Sequence, residues 1–349
     1  MINRISKTKY SLVLTVLALI LLFSIGLFST IGSANISIID TFKIIFSKIP
    51  FLKNVVDISH LNSAQKSIIW NIRLPRVLLG VLVGASLSLT GASFQGMFNN
   101  PMADPYIIGI SSGAALGATV AIILKLDFKI FNFSSISIFA FLGGILAVVL
   151  VYNIARIKNQ VPVVTLLLSG VAIGQFFTAV MSFLMVIFSK DMSKIVYWTL
   201  GSLAGKGWNP IITLSIPILV SMFLINIFAR DLNIMLTGDE SAESLGINVE
   251  RTKVYILLLG TFMTSVVVSV SGIIGFVGLI IPHIVRILLG PDHRILLPAS
   301  AFMGGIFMIF ADTLARMIIS PVEIPVGIIT ALFGGPFFIY LLRKKKRNL

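Results

Sequence analysis

The sequence contains no cysteine, three histidines and charged residues at only 11% of its 349 positions. Without thiols there are no disulfides, thiolate metal centres or cysteine nucleophiles. Thirteen Asp and Glu leave few carboxylates for acid–base or metal chemistry. So small a charged fraction cannot cover a water-facing surface, since soluble domains carry about 25%. There is no Gly-x-x-x-x-Gly-Lys-Ser/Thr phosphate loop, no HExxH and no strand-borne nucleophile elbow, so the chain is not expected to hydrolyse ATP itself.

What fills the chain is apolar sequence, 57% hydrophobic with a mean hydropathy of +1.03. This composition predicts an all-α, polytopic membrane protein forming a single domain over residues 1–349. A bilayer core needs about 20 apolar residues per helix. Ten segments qualify, at 11–31, 77–95, 106–124, 134–154, 163–188, 210–228, 254–273, 274–289, 296–316 and 321–342. The stretch 254–289 is one long apolar run, divided by Gly272, Gly275, Gly278 and Pro282 into two helices. An even number of spans puts both termini on one side, and both are basic: Arg4, Lys7 and Lys9 at the start, Arg343 to Arg347 at the end. The positive-inside rule places them in the cytoplasm of a plasma-membrane protein. The formal charge of +14 is then an orientation signal, with no water-soluble basic face for nucleic acid. The first apolar run exceeds a signal-peptide core and is expected to be retained.

Three segments between spans are long: outer loops at 32–76 and 189–209, and a cytoplasmic loop at 229–253. The third holds five acidic residues, Asp231, Asp239, Glu240, Glu243 and Glu250, on the side that cations should occupy. Thr237-Gly238-Asp239-Glu240 fits a capping box, and Gly246 supplies a left-handed stop. Ala242 and Leu245 are expected on one face of the short helix between them. The bland reading is a solvated connector; the competing one is a surface helix that docks a partner. The small-xxx-small patterns Gly80/Gly84, Gly109/Gly113/Gly117 and Gly201/Gly205 predict close helix contacts. Polar residues near membrane depth are Arg73, Arg76, Gln95, Asn99, Asn100, Asp104, His283, Arg286, Asp312, Arg316 and Glu323. Asp312 and Arg316 stand i, i+4 and can pair internally. His283 and Arg286 read as structural, since no second ligand stands at metal spacing.

In order along the chain, Arg73-Leu-Pro-Arg76, Gly84-Ala85, Gly91, Gln95, Asn100-Pro101-Met-Ala103-Asp-Pro105 and Gly109 form one block. Trp198-Thr-Leu-Gly201-Ser202 and Gly238-x-x-x-Ala242-x-x-Leu245-Gly246 follow. Then come Gly275-Phe-Val-Gly278-Leu-Ile-Ile-Pro282-His283-Ile-Val-Arg286, Gly290-Pro291-Asp292-His293-Arg294, Ala311-Asp312-Thr-Leu-Ala-Arg316 and Glu323-Ile-Pro325-Val-Gly327. The series, from Arg73 to Leu342, resembles the permease subunits of binding-protein-dependent ABC importers for iron-siderophores, haem and cobalamin. Met102 stands where that family more often has Leu, and the first 72 residues match only loosely.

The resemblance implies ten helices per subunit, two subunits around a central path, and alternating-access import of a metal chelate. It implies two cytoplasmic ATPase subunits that bind the ATP and Mg, no cofactor or metal on this chain, and an extracytoplasmic binding protein. Thr237, Gly238, Asp239, Glu240, Ala242, Glu243, Leu245 and Gly246 would couple to the ATPase. Arg73, Arg76 and Arg316 would meet carboxylates of the binding protein. Gln95, Asn99, Asn100, Trp198, Gly201 and Ser202 are the candidates for the path and its gates. His283, Arg286 and Asp312 are expected to be structural. The rival reading is an ion-coupled secondary transporter using Asp312; an intramembrane enzyme finds no catalytic set.

Overall fold

The computed structural model describes residues 7–32, 34–49, 51, 56–158 and 160–346, so the basic residues Arg4 and Arg347 used for orientation lie outside the described residues. The helices are α1 (Lys7–Thr30), α2 (Ile38–Phe46), α3 (Ser63–Ser67), α4 (Leu74–Met97), α5 (Ile110–Ile123), α6 (Ser135–Ala155), α7 (Val163–Ile187) and α8 (Met192–Thr199). They continue as α9 (Asn209–Ile227), α10 (Ala229–Met235), α11 (Asp239–Ser244), α12 (Val249–Ser271), α13 (Val277–Leu289), α14 (His293–Met317) and α15 (Val326–Lys346). The sheet among the described residues is a two-stranded hairpin, Lys129–Ile130 against Phe133–Ser134. Among the described residues seven helical runs are long and apolar enough to cross a bilayer; Ile110–Ile123, Val277–Leu289 and Val326–Leu341 are shorter apolar helices. The chain is a polytopic, all-α membrane protein.

Burial ranks the helices. The most apolar window of Ser63–Met97 is 83% buried, whereas that of α1 is 11% buried. The first is therefore the central post of the bundle, and α1 lies against its outside. The outer loop expected at 32–76 is largely helical, and its end runs unbroken into the second span as a 35-residue helical run. A π-helical turn, Ile68–Arg73, makes this continuity possible. The Leu74 amide reaches back to Ile69 O, which widens the coil just where the Pro75 ring enters.

The break predicted within 254–289 falls at residues 272–276, where Gly272 and Phe276 take φ of +70° and +69°. Pro282 does not divide the run; it lies inside α13. The expectation of a helical Gly201/Gly205 contact is also corrected. Both have positive φ and belong to a turn after α8.

Glycines set how α4 meets α14. A Cβ on Gly84 would overlap the carbonyl of Gly304, and one on Gly304 would overlap Gly84 O and the Ser88 hydroxyl. The two backbones therefore touch, which only glycine allows. The register is antiparallel: Arg76 meets Asp312, Gly84 meets Gly304, and Gly96 meets the His293 ring. In contrast, α1 runs parallel to α14, because Tyr10 bonds Asp292 at one end and Ile31 O accepts from Arg316 at the other. One end of the bundle thus gathers Tyr10, Gly96, Asn233 and Asp292, and the opposite end gathers Ile31, Arg76, Asp312 and Glu323.

Candidate functional site

At the second of these ends, α4, α14 and the segment before α15 bring charges together. The Arg76 guanidinium donates from Nε to both Asp312 oxygens (3.1 and 2.9 Å) and from Nη2 to Asp312 Oδ1 (2.9 Å). Its Nη1 donates to both oxygens of Glu323, at 3.0 and 2.8 Å. Arg316 Nε stands 3.3 Å from Asp312 Oδ2, so the expected i, i+4 pair exists beside the bidentate one. Arg316 Nη1 donates to Ile31 O at 3.0 Å, and Arg73 donates to Thr30 O at 2.6 Å and Ala34 O at 2.7 Å. These carbonyls close the C-terminus of α1, where the helix dipole is negative and cations are favoured.

The three arginines therefore point inward. The side chains of Arg76 and Arg316 are 10% and 8% exposed, while Glu323 is 45% exposed. A cavity of about 220 Å³, lined by Gly32, Arg73, Arg76, Arg316, Ser320 and Glu323 among others, opens onto them. The ion-coupling alternative at Asp312 finds no support. Its carboxylate is 2% exposed and shared between two guanidiniums.

At the opposite end lies the loop 229–253. Here the capping-box expectation is corrected: α11 starts at Asp239, and its N-cap is Gly238 at φ +103°, with no side-chain cap. The Thr237 hydroxyl donates instead to Ile234 O, because the extended Gly238 backbone turns the chain before the helix begins. The stop is as expected. Gly246 at φ +85° donates to Glu243 O, and Ile247 donates to Ala242 O, a Schellman ending.

Ala242 and Leu245 do not share a face. Ala242 is fully buried against Met235 and Val249, whereas Leu245, at the C-cap, is 67% exposed. Asp239, Glu240, Glu243 and Ser244 are also exposed. The result is a small pedestal with an acidic surface from which Leu245 projects farthest. Lys253 braces it, with Nζ 2.7 Å from Asp239 Oδ2 and 3.3 Å from Glu250 Oε1. Glu250 also accepts from the Val161 amide (2.9 Å), tying in the connection after α6.

Sequence reasoning missed a polar hub beside this pedestal. Asp292, the N-cap of α14, accepts from Tyr10 Oη (2.9 Å), Asn233 Nδ2 (2.7 Å) and the amide of Arg294 (3.0 Å), and pairs with the Arg294 guanidinium. Those donors, Arg294 foremost, hold its carboxyl well below the usual range. The available signal was Asp292 placed one residue before a helical run, the N-cap position.

The residues expected at the path fall into two groups. Gln95 is buried, and its Nε2 contacts the carbonyls of Ala103 (3.3 Å) and Leu279 (3.2 Å), bridging α4 to α13. Asn99 is exposed at φ +48°, and Asn100 accepts from the Met102 amide at 2.9 Å. Asp104 likewise accepts from the Tyr106 amide at 2.8 Å, while desolvation raises its pKa to about 6. Trp198, Gly201 and Ser202 form the second group: Ser202 donates to Ser271 O at 2.7 Å, and Gly201 packs on Ile273 O. His283 faces Phe337, and neither its Nδ1 nor Arg286 Nη1 has a hydrogen-bond partner among the described residues.

The sequence profile of the FecCD transport family matches residues 16–344. The chain is 47% identical over 279 residues to the cobalamin import system permease protein BtuC of Halobacterium salinarum, covering 80% of this chain and 74% of that one. It is 39% identical over 344 residues to the Fe(3+)-citrate import system permease protein YfmD of Bacillus subtilis, covering 98% of each. A solved structure of an inward-facing metal-chelate type ABC transporter superposes with a TM-score of 0.81 at 31% identity, covering 95% of this chain and 99% of that one.

Proposed function

The chain belongs to the FecCD transport family of ABC-importer permeases, and from that premise we propose that two copies form the path of an importer for a metal chelate. An iron-siderophore is the first candidate cargo, with haem and cobalamin next. The seven long spans and the three shorter apolar helices together make ten crossings, with both termini cytoplasmic. Two ATPase subunits bind ATP and Mg at the cytoplasmic face, and a binding protein delivers cargo at the other. This chain needs no cofactor or metal of its own.

The observation that carries the reading is the pedestal at 229–253. It buries Ala242 and presents Leu245 with Asp239, Glu240 and Glu243 to the outside. One apolar anchor in an acidic rim suits a groove on a partner subunit, and a mere connector has no need of a capped, braced helix. The pedestal and the arginine cluster sit at opposite ends of α14, as an importer driven from one side and loaded from the other requires. Arg73, Arg76 and Arg316 are the docking cations of this reading; buried and bonded within the chain, they would meet the binding protein only across the outer cavity that they line. Gln95, Asn99 and Asn100 lie toward the inner gate, and Trp198, Gly201 and Ser202 at the outer one.

The test is ATP hydrolysis by the chain co-purified with its ATPase in liposomes, with and without binding protein. Leu245→Arg should release the ATPase while the isolated permease keeps its melting temperature. ATPase association unaffected by Leu245→Arg would sink the docking assignment.

A further inference from the structure

The function above leaves the hub at Asn233, Asp292 and His293 without a role. Asn233 lies on α10, four residues before Thr237, and α10 packs on both α4 and α14. Its amide is used at both ends. Nδ2 donates to Asp292 Oδ1 at 2.7 Å, and Oδ1 accepts the His293 backbone amide at 2.8 Å and the His293 ring Nδ1 at 2.9 Å. The carboxylate fixes which end of the amide is which, so His293 Nδ1 carries the proton. His293 is 1% exposed, and its ring lies against Gly96 of α4. The clasp therefore joins the coupling loop, the start of α14 and the end of α4 at one point.

From this point α14 runs about 30 Å to Asp312 at 1.5 Å per residue. Over that length it is held to α4 backbone to backbone at Gly84 and Gly304. At its far end it carries Asp312 and Arg316, which hold Arg76 and the C-terminus of α1. Tyr10 and Ile31 tie α1 to α14 at both ends. A displacement of α10 and α11 thus has a rigid route to the outer arginine cluster.

We propose that Asn233 is a positioning residue that stays clasped to Asp292 and His293 throughout the transport cycle. Through it, α14 moves with the coupling loop as one body and links the ATPase face to the binding-protein face. The inference rests on the importer reading and names the linkage within it.

The experiment measures hydrolysis by the complete complex in liposomes and takes the ratio of rates with and without binding protein. Asn233→Ala should lower that ratio by roughly fivefold or more, the scale of an ordinary coupling free energy. A merely structural role would lower both rates and leave the ratio unchanged. Because the chain has no cysteine, Asn233→Cys with His293→Cys gives a unique pair in the chain for a short bis-methanethiosulfonate cross-linker, which forms one disulfide with each thiol and releases sulfinate. Reduced, this protein should show the low ratio; cross-linked, the same preparation should regain the wild-type ratio, and folding cannot account for that difference. The clasp is overturned if Asn233→Ala keeps the wild-type ratio or if cross-linking leaves the ratio where it was. A wild-type chain that assembles with no ATPase overturns the importer reading itself, and the clasp falls with it.

Discussion

Replacing Asp312 with Asn keeps the shape of the side chain and removes the charge that two guanidiniums share. Asp312 is 2% exposed, takes three hydrogen bonds from Arg76 at 2.9 to 3.1 Å, and stands 3.3 Å from Arg316. In Asp312→Asn two buried cations face one another across an amide whose N–H groups point at donors. Breaking a buried pair in this way costs about 3–5 kcal/mol. Glu323→Gln removes the other partner of Arg76, but that carboxylate is 45% exposed, and an ion pair with one open partner contributes about 0–1 kcal/mol. At about 2 °C per kcal/mol for a chain of this size, Asp312→Asn should lower the apparent melting midpoint in detergent by about 6–10 °C. Glu323→Gln should lower it by no more than about 2 °C. Both are read at one scan rate, since membrane-protein unfolding is rarely reversible. An Asp312→Asn protein that melts with wild type would show that this cluster does not hold α4 to α14.

Gly84→Leu or Gly304→Leu should abolish monodisperse protein on size exclusion, because each side chain would occupy the partner helix's backbone. Gly335→Ala, with open space around it, should be neutral. Ala242→Arg and Leu245→Arg should separate by mechanism: the first buries a charge under α11 and lowers the melting midpoint, the second alters only ATPase association. For Asp292 the folded carboxyl is held below its unfolded value, so its contribution is fully present above about pH 4 and is lost as pH falls further. Wild type should therefore lose more stability than Asp292→Asn between pH 5 and 3.

That the chain crosses a membrane many times was legible because lipid demands long apolar runs, which composition records directly; among the described residues seven of the ten expected spans are long enough to cross, and three are shorter helices. The Gly246 stop and the break near Gly272 were legible for a similar reason: glycine marks positions where φ turns positive. The capping box failed at Gly238, whose extended backbone let Thr237 bond behind itself rather than ahead. The length of the central helix was hidden because Pro75 reads as a helix start, and a π-helical turn that absorbs the ring has no sequence signature. Of the outer cluster, the Asp312 and Arg316 pair was visible at i, i+4. Arg76, 236 residues away from Asp312, binds it more tightly, and no local pattern announces such a contact. Arg73, Arg76 and Arg316, expected to meet carboxylates of a binding protein, are buried for the same reason, their partners being the end of α1 and carboxylates of this chain. Asn233 carries no signal alone and acquires meaning only when the fold brings it to Asp292 and His293.

ATP should drive import through this chain. The most direct test is uptake of a ferric siderophore, haem and cobalamin, each with its binding protein, into liposomes holding the chain and its ATPase. One chelate should be taken up in a manner that needs both ATP and binding protein, disappears with Leu245→Arg, and ignores collapse of proton and sodium gradients. Uptake that persists without ATP and follows an ion gradient would contradict ATP-driven import.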